Sequence, residues 1–373
     1  MTADARPGPL TRAAAAAATA CAPLAAAADR DARLSGTAWA AICEAGFCRH
    51  FVPARLGGTE GTFTDCLLAA SLLAAADPAA AWCASLAAAA ARMAGFLPAA
   101  GQQDLWRDGP DTLVTATLQP AGTARPAPGG WRADGQWHFA TSASAATWAL
   151  LSCRVPGAEP VCLLVPRQDW RAEDDWDSTG MRATASGTLT MPRTHVPATR
   201  AFPRQALLDG SPPAPGAGPR PPHDAVSGLA FAAPLLGATR AAISAWSDAA
   251  RQRAWPPGAE DHAKLTLATA AGEADAAALL LERAAACADQ PPMTALDAAR
   301  CRRDYWLAAS LLTTAASRLF TTAGTRATSA AGPLARLWRD ISTAAVHPAL
   351  QPQPAASEWA ARALGCQPGS RSP

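Results

Sequence analysis

Apolar positions recur at helical spacing from about Thr11 to Gln103, with Ala/Leu-rich runs over Asp29–Gly46 and Thr64–Ala76. The segment Gly46–Gly61 interrupts them, because Pro53, Gly57 and Gly58 break regular helix. Asp77-Pro78 then reads as an N-cap followed by proline at the first helical position, opening a helix from Ala79 to Leu97 that Pro98 stops. Between about Thr112 and Phe202 the period changes. Short runs of β-formers appear at Leu113–Leu118, Gly130–Phe139, Trp148–Arg154, Val161–Val165 and Gly187–Met191, separated by turn residues. This spacing predicts a small β-domain, barrel or sandwich. After a Pro-rich linker, Ser211–Pro222, four long helical patterns follow: Ala225–Trp255, Glu260–Asp289, Thr294–Gly324 and Pro333–His347, with a short one near Ser357–Leu364. The expected order is an α-helical region over 1–111, a β-domain over 112–210, the linker at 211–222, and a four-helix bundle over 223–373.

The stretch Pro333–Leu350, PLARLWRDISTAAVHPAL, shows the sharpest division of faces. As a helix it places Leu334, Leu337, Trp338, Ile341 and Ala345 on a core-facing stripe. Arg336, Asp340, Thr343 and His347 fall on the opposite face, one above another, and Pro348 ends the helix. A guanidinium, a carboxylate, a hydroxyl and an imidazole are thus presented together. Taken alone, such a face is an ordinary solvated one.

Composition narrows the classes. The chain has 373 residues, half of them apolar and 17% charged, with a net charge of +2. No clustered basic stripe points to nucleic acid. No run approaches the strongly apolar stretch of a membrane span, and the Ala13–Ala18 tract is too weakly apolar and too closely flanked by charge for a secretory leader. Ten scattered cysteines without a CxxC pair predict reduced cytoplasmic thiols and no metal site. There is no GxGxxG or Walker-type loop for a dinucleotide or P-loop site.

Six segments, in order, resemble the acyl-CoA dehydrogenase superfamily: GFCRHFVPARLGG (Gly46–Gly58), DPAAAWC (Asp77–Cys83), LPAAGQQDLW (Leu97–Trp106), GGWRADGQWHFATSASAATW (Gly129–Trp148), GMRATASGTL (Gly180–Leu189) and the Pro333–Leu350 stretch. Within it, the chain is most similar to the oxygenase components of two-component flavin-dependent monooxygenases. The resemblance implies an α+β fold of N-terminal helices, central β-barrel or sandwich and C-terminal four-helix bundle, assembled as a homotetramer. It also implies reduced FMN or FAD delivered by a separate flavin reductase, reaction with O2 through a C4a-hydroperoxide, and oxygenation of a largely apolar, aromatic or polyketide-like small molecule.

The residues that the resemblance assigns are as follows. His347 stands near where dehydrogenases of this superfamily commonly carry a carboxylate base, and no Glu occurs from Ile341 to Ala356, so an imidazole manages the proton. In Phe139-Ala140-Thr141-Ser142, Thr141 takes a serine position near the flavin and Ser142 a glycine position; Ser142 or Ser144 is the alternative hydroxyl. Trp137, Phe139, Arg182, Ser186, Arg326, Arg339 and Asp340 are flavin-side candidates, and Trp82 and Leu86 are substrate-pocket candidates. His138, on the opposite strand face from Phe139, is structural. Two other readings stay open: a true acyl-CoA dehydrogenase with tightly bound FAD, for which Glu260, Glu273 and Glu282 are the formal bases, and a non-catalytic scaffold of the same fold.

Overall fold

Asp77 caps the helix that organises the N-terminal region, its Oδ1 accepting from the backbone N–H groups of Ala79 and Ala80 at 3.0 and 3.1 Å. Proline at the next position fits, since its missing N–H is one of those left free at a helix start. In the computed structural model, which describes residues 7–212, 220–253, 258–290, 292–325 and 329–365, this is α5 (Pro78–Ala94). Before it come α1 (Pro9–Cys21), α2 (Ala25–Asp31), α3 (Gly36–Ala45) and α4 (Phe63–Ala76); α6 (Ala99–Leu105) follows. The helix expected over Asp29–Gly46 is divided: Ala32 turns left-handed at φ 51°, and Ser35 caps a new start by accepting from Ala38 N.

The β-formers resolve into one open, mixed, seven-stranded sheet: β1 (Val114–Ala127), β2 (Gly130–Trp137), β3 (Trp148–Val155), β4 (Ala158–Pro166), β5 (Arg171–Ala172), β6 (Leu189–Pro197) and β7 (Ala201–Pro203). Their order is β5-β6-β2-β1-β3-β4-β7, with β1 and β3 parallel and the other pairs antiparallel. The expected small β-domain is this single mixed sheet. Strand β1 runs on through Pro120 and Gly122, which read as turn residues, because the register against β3 shifts there by bulging. Gly122 has φ +53°, and a Cβ on it would stand 2.5 Å from the Trp137 ring, so the bulge needs glycine.

After α7 (Arg204–Asp209) the bundle comprises α8 (His223–Arg251), α9 (Ala259–Ala288), α10 (Ala295–Thr322) and α11 (Pro333–Ala344), with α12 (Pro352–Ala363) behind. Most of the Pro-rich segment lies outside the described residues. The helices before and after the sheet share one core: Leu73, Ala80 and Ala84 pack with Leu229, Leu236, Leu281, Tyr305 and Leu312. Tyr305 locks α10 to α8 by donating to Ala225 O at 2.6 Å. The sheet keeps a core of its own around Trp137, Leu151, Leu163 and Trp170, while Leu150, Leu164 and Phe202 face α5 and α6 through Leu97 and Leu105. Two segments, Pro9–Asp31 and His223–Arg251, are after all long and apolar enough to meet a membrane-span criterion. In α8 that apolarity belongs to the core, since 67% of its apolar stretch is buried in the bundle.

Candidate active site

The helix carrying the polar face ends earlier than its sequence suggests. Helix α11 stops at Ala344, and His347 sits beyond it at φ −59°, ψ 136°, in the extended conformation that the following Pro348 enforces. His347 therefore does not stack above Asp340 and Thr343. Its Nδ1 instead accepts from Ala349 N at 3.2 Å, capping the short turn Pro348–Leu350. The imidazole lies flat on Phe231 of α8, centroids 3.6 Å apart, and meets Trp82 of α5 edge-on at 5.8 Å. Burial in this aromatic setting pushes its pKa down to about 4. The ring is neutral at physiological pH, and with Nδ1 accepting, its proton resides on Nε2.

Next to Trp82 on the same helix, Cys83 lies beside the other candidate group. Ser142 Oγ is buried against the Cys83 thiol, yet completes no hydrogen bond to it or to any other described group. Consecutive residues of α5 thus touch the imidazole on one side and the β-domain loop on the other. That loop is tense: Phe139 and Ser142 both adopt left-handed backbone, at φ 60° and 62°. It is tied down by Ala140 N to Gly187 O (2.9 Å), Ser142 N to Thr184 O (3.1 Å) and Thr115 Oγ1 to Thr141 O (2.8 Å). The hydroxyls of Thr141, Ser186 and Thr184 form a chain with 2.8 Å between neighbours. Phe139 is 74% exposed, with Trp176 edge-on at 6.3 Å.

The remaining expected residues divide. Trp82 is buried and Leu86 packs beside it in the helical core. Trp137 lies buried inside the sheet's core, away from a flavin-facing surface, its Nε1 donating to Ser152 O at 2.8 Å. Ser144 is exposed on the same loop, Arg326 lies outside the described residues, and His138 holds Thr188 Oγ1 at 2.9 Å, a structural contact. Arg182 donates to Asp29 O and Ser178 O. Arg339 donates to Thr179 O and Ala330 O and pairs with Asp29 at 2.9 Å. Asp340 is buried and accepts from Met181 N at 2.6 Å. These three side chains are spent within the chain, fastening α11 and α2 to the loop before β6. Gly180 lets that joint close, since a Cβ there would come within 2.2 Å of Arg339 O.

A planar, partly apolar, hydrogen-bonding cofactor suits this loop, with its exposed aromatic ring, hydroxyl chain and buried unpartnered Ser142. Residues 10–103 match the acyl-CoA dehydrogenase N-terminal domain and residues 229–352 the acyl-CoA dehydrogenase C-terminal domain, together more than half of the chain. The chain belongs to the acyl-CoA dehydrogenase superfamily. Among its relatives in that superfamily is the oxygenase subunit HsaA of a flavin-dependent monooxygenase from Rhodococcus jostii, 27% identical over 86% of this chain and 89% of the relative. The oxygenase component of an FADH2-dependent resorcinol hydroxylase from a Rhizobium species is 32% identical over 43% of this chain and 41% of that one. In structure, XiaF from a Streptomyces species, solved with FADH2 and glycerol, aligns at TM-score 0.87 and 27% identity, over 98% of this chain and 97% of its own. The 3-HSA hydroxylase of Rhodococcus sp. RHA1 shares the fold at TM-score 0.89 and 24% identity, over 96% of this chain and 98% of its own.

Three further groups, Ser85, Arg92 and His223, line a cavity beside this site. Sequence pattern gave no hint of them, because in an alanine-rich helix no polar stripe stands out against the core face.

Proposed function

We propose that the chain is the oxygenase component of a two-component flavin-dependent monooxygenase, oxygenating a largely apolar, aromatic small molecule with O2. Reduced FMN or FAD would come from a separate flavin reductase, and the enzyme would work in the cytoplasm as a homotetramer. The observation that carries this reading is His347: a neutral imidazole with its Nδ1 occupied, packed between Trp82 and Phe231, in a turn without a carboxylate. Acyl-CoA dehydrogenation needs a carboxylate to take the α-proton. Glu260, Glu273 and Glu282 all lie on α9, away from this turn, with Glu260 paired to Lys264 and Glu273 to Arg318.

When bound, the reduced flavin supplies the electrons that activate O2. Phe139 and the hydroxyls of Thr141 and Ser186 would hold it, with Ser142 adding a buried oxygen. The protein's own task is placement and dryness. Phe231 and Trp82 fix the imidazole plane, so that the Nε2 proton is offered in one direction. That N–H can donate a hydrogen bond to a developing negative oxygen without giving up its proton, so the ring stays neutral throughout. The apolar walls keep water from the reacting atoms. The test is reduced-flavin binding under anaerobic conditions, followed by reductase-coupled turnover of aromatic substrates. Tight binding of oxidised FAD with bleaching by an acyl-CoA would favour a dehydrogenase instead.

A further inference from the structure

A narrow, apolar cavity runs between α4, α5 and α8, beginning one helical turn along α5 from Trp82. Its walls include Phe51, Phe63, Leu67 and Val226, and its polar groups include Ser85, Arg92, His223 and Ser227. Ser85 and Arg92 are seven residues apart on α5, so they share a face. Ser85 is 1% exposed, and its Oγ has no hydrogen-bond partner. Nδ1 of His223 is likewise buried and unpartnered.

Arg92 is the decisive group. It is 6% exposed and lines the cavity, with Nη2 donating to Pro221 O and the guanidinium over the rings of Phe63 and Phe96, at 5.5 and 5.9 Å. No carboxylate pairs with it among the described residues. The charged neighbours are of its own sign: Arg220 acts on Arg92, and Arg92 and Arg204 act on His223. The segment 213–219, which leads to Arg220, contains no acidic residue in its sequence. Burial, with Arg220 adding to it, lowers the Arg92 pKa to about 9, so the group stays cationic at neutral pH. A buried cation without a counter-charge is strongly unfavourable and calls for an anion.

We propose that this cavity captures the substrate by an oxyanion, a carboxylate or a phenolate, held by the Arg92 guanidinium with the Ser85 hydroxyl beside it. Neutral His223 adds a polar ring that does not compete for the anion. Trp82 and Arg92 stand ten residues apart on α5, a rise of about 15 Å. An oxygen held at Arg92 therefore leaves the apolar body of the molecule against Phe63, Leu67 and Val226, and only a molecule of about that length also reaches Trp82. The proposal rests on the oxygenase reading and adds its specificity: an apolar aromatic acid or acidic phenol, in preference to a neutral arene.

Calorimetric titration of the full-length protein tests it, with and without reduced flavin under anaerobic conditions. The probes are 2-naphthoate, 2-naphthamide, and 4-nitrophenol on either side of its ionisation. Wild type should bind naphthoate, nitrophenolate or both about tenfold or more tighter than the matched neutral form. Which anion shows the preference distinguishes carboxylate from phenolate. Arg92→Met should abolish the preference while leaving naphthamide binding unchanged, and Ser85→Ala should reduce it several-fold. If Arg92→Met fails to fold by circular dichroism, Arg92→Lys and Ser85→Ala decide. An undiminished preference in both overturns the proposal, as does the absence of any preference in wild type or its survival in a folded Arg92→Met. Flavin binding without an anion preference would leave the oxygenase reading intact and remove only this one; the reverse result would do the opposite.

Discussion

The imidazole of His347 lies on the ring of Phe231 with centroids 3.6 Å apart and planes 24° from parallel, while its Nδ1 accepts from Ala349 N. Position, tautomer and charge are set by these two contacts together. Replacing His347 by Phe keeps a ring on Phe231 but removes the Nε2 proton. Reduced-flavin affinity should change little, whereas product formed per flavin oxidised should fall by about 10²–10³, the usual range for a lost hydrogen-bond donor to developing negative charge. Unaltered coupling would remove His347 from the chemistry.

The same burial sets a pH expectation. His347 titrates near 4, below the ordinary 6.5, so it stays neutral from about pH 5 to 8. A pH profile of coupling should therefore show no inflection near 6.5 from this group. An inflection there that disappears in His347→Gln would contradict the assignment.

Ser142 separates backbone from hydroxyl. Its φ of 62° costs a non-glycine residue about 1 kcal/mol, so Ser142→Gly should leave the protein as stable or raise the unfolding free energy by about that amount. If the buried, unpartnered Oγ meets the flavin, this variant still binds reduced flavin several-fold more weakly. Ser142→Val, with a β-branched side chain in left-handed backbone, should be destabilised. Equal stability of the Gly and Val variants would show that the loop relaxes.

The joint under α11 has a pH signature of opposite sense. Asp340 is raised to about 7, mainly by burial, with the Met181 N–H opposing and Asp29 and Asp77 adding to the rise. A carboxyl whose folded pKa exceeds its unfolded one keeps its proton on folding, so this group's contribution to stability falls as pH rises from about 4 to about 7 and is level above. Asp340→Asn retains an acceptor for Met181 N without the charge. Its unfolding midpoint should exceed that of wild type at pH 8, by on the order of a few kcal/mol of stability, and the difference should vanish toward pH 4. A variant less stable than wild type at pH 8 would show that the charged form is needed.

Much of this arrangement is legible in the chain itself. The change from helical to β-type runs, the Asp77-Pro78 cap and the long bundle helices follow from local chemistry that the structure repeats. Reading failed where distant partners decide. Pro120 and Gly122 continue a strand because a bulge and the Trp137 ring accommodate them, not because their own preferences favour it. Arg339 finds its carboxylate 310 residues away, at Asp29, so no window along the sequence reveals the pair. The pattern Leu334, Leu337, Ile341 is real, but extending it to His347 gave the apolar period more weight than the restriction Pro348 imposes. Ser142 stands where the resemblance implies a glycine, and its left-handed backbone is one that glycine adopts without strain.

The most direct test of the central claim is anaerobic titration of the purified protein with reduced FMN and reduced FAD, with oxidised FAD in parallel. The account predicts saturable binding of at least one reduced flavin, weaker binding of the oxidised form, and oxygenation of an aromatic substrate once O2 and a reductase are supplied. Tight binding of oxidised FAD that an acyl-CoA bleaches, or no flavin binding in either redox state, would contradict it.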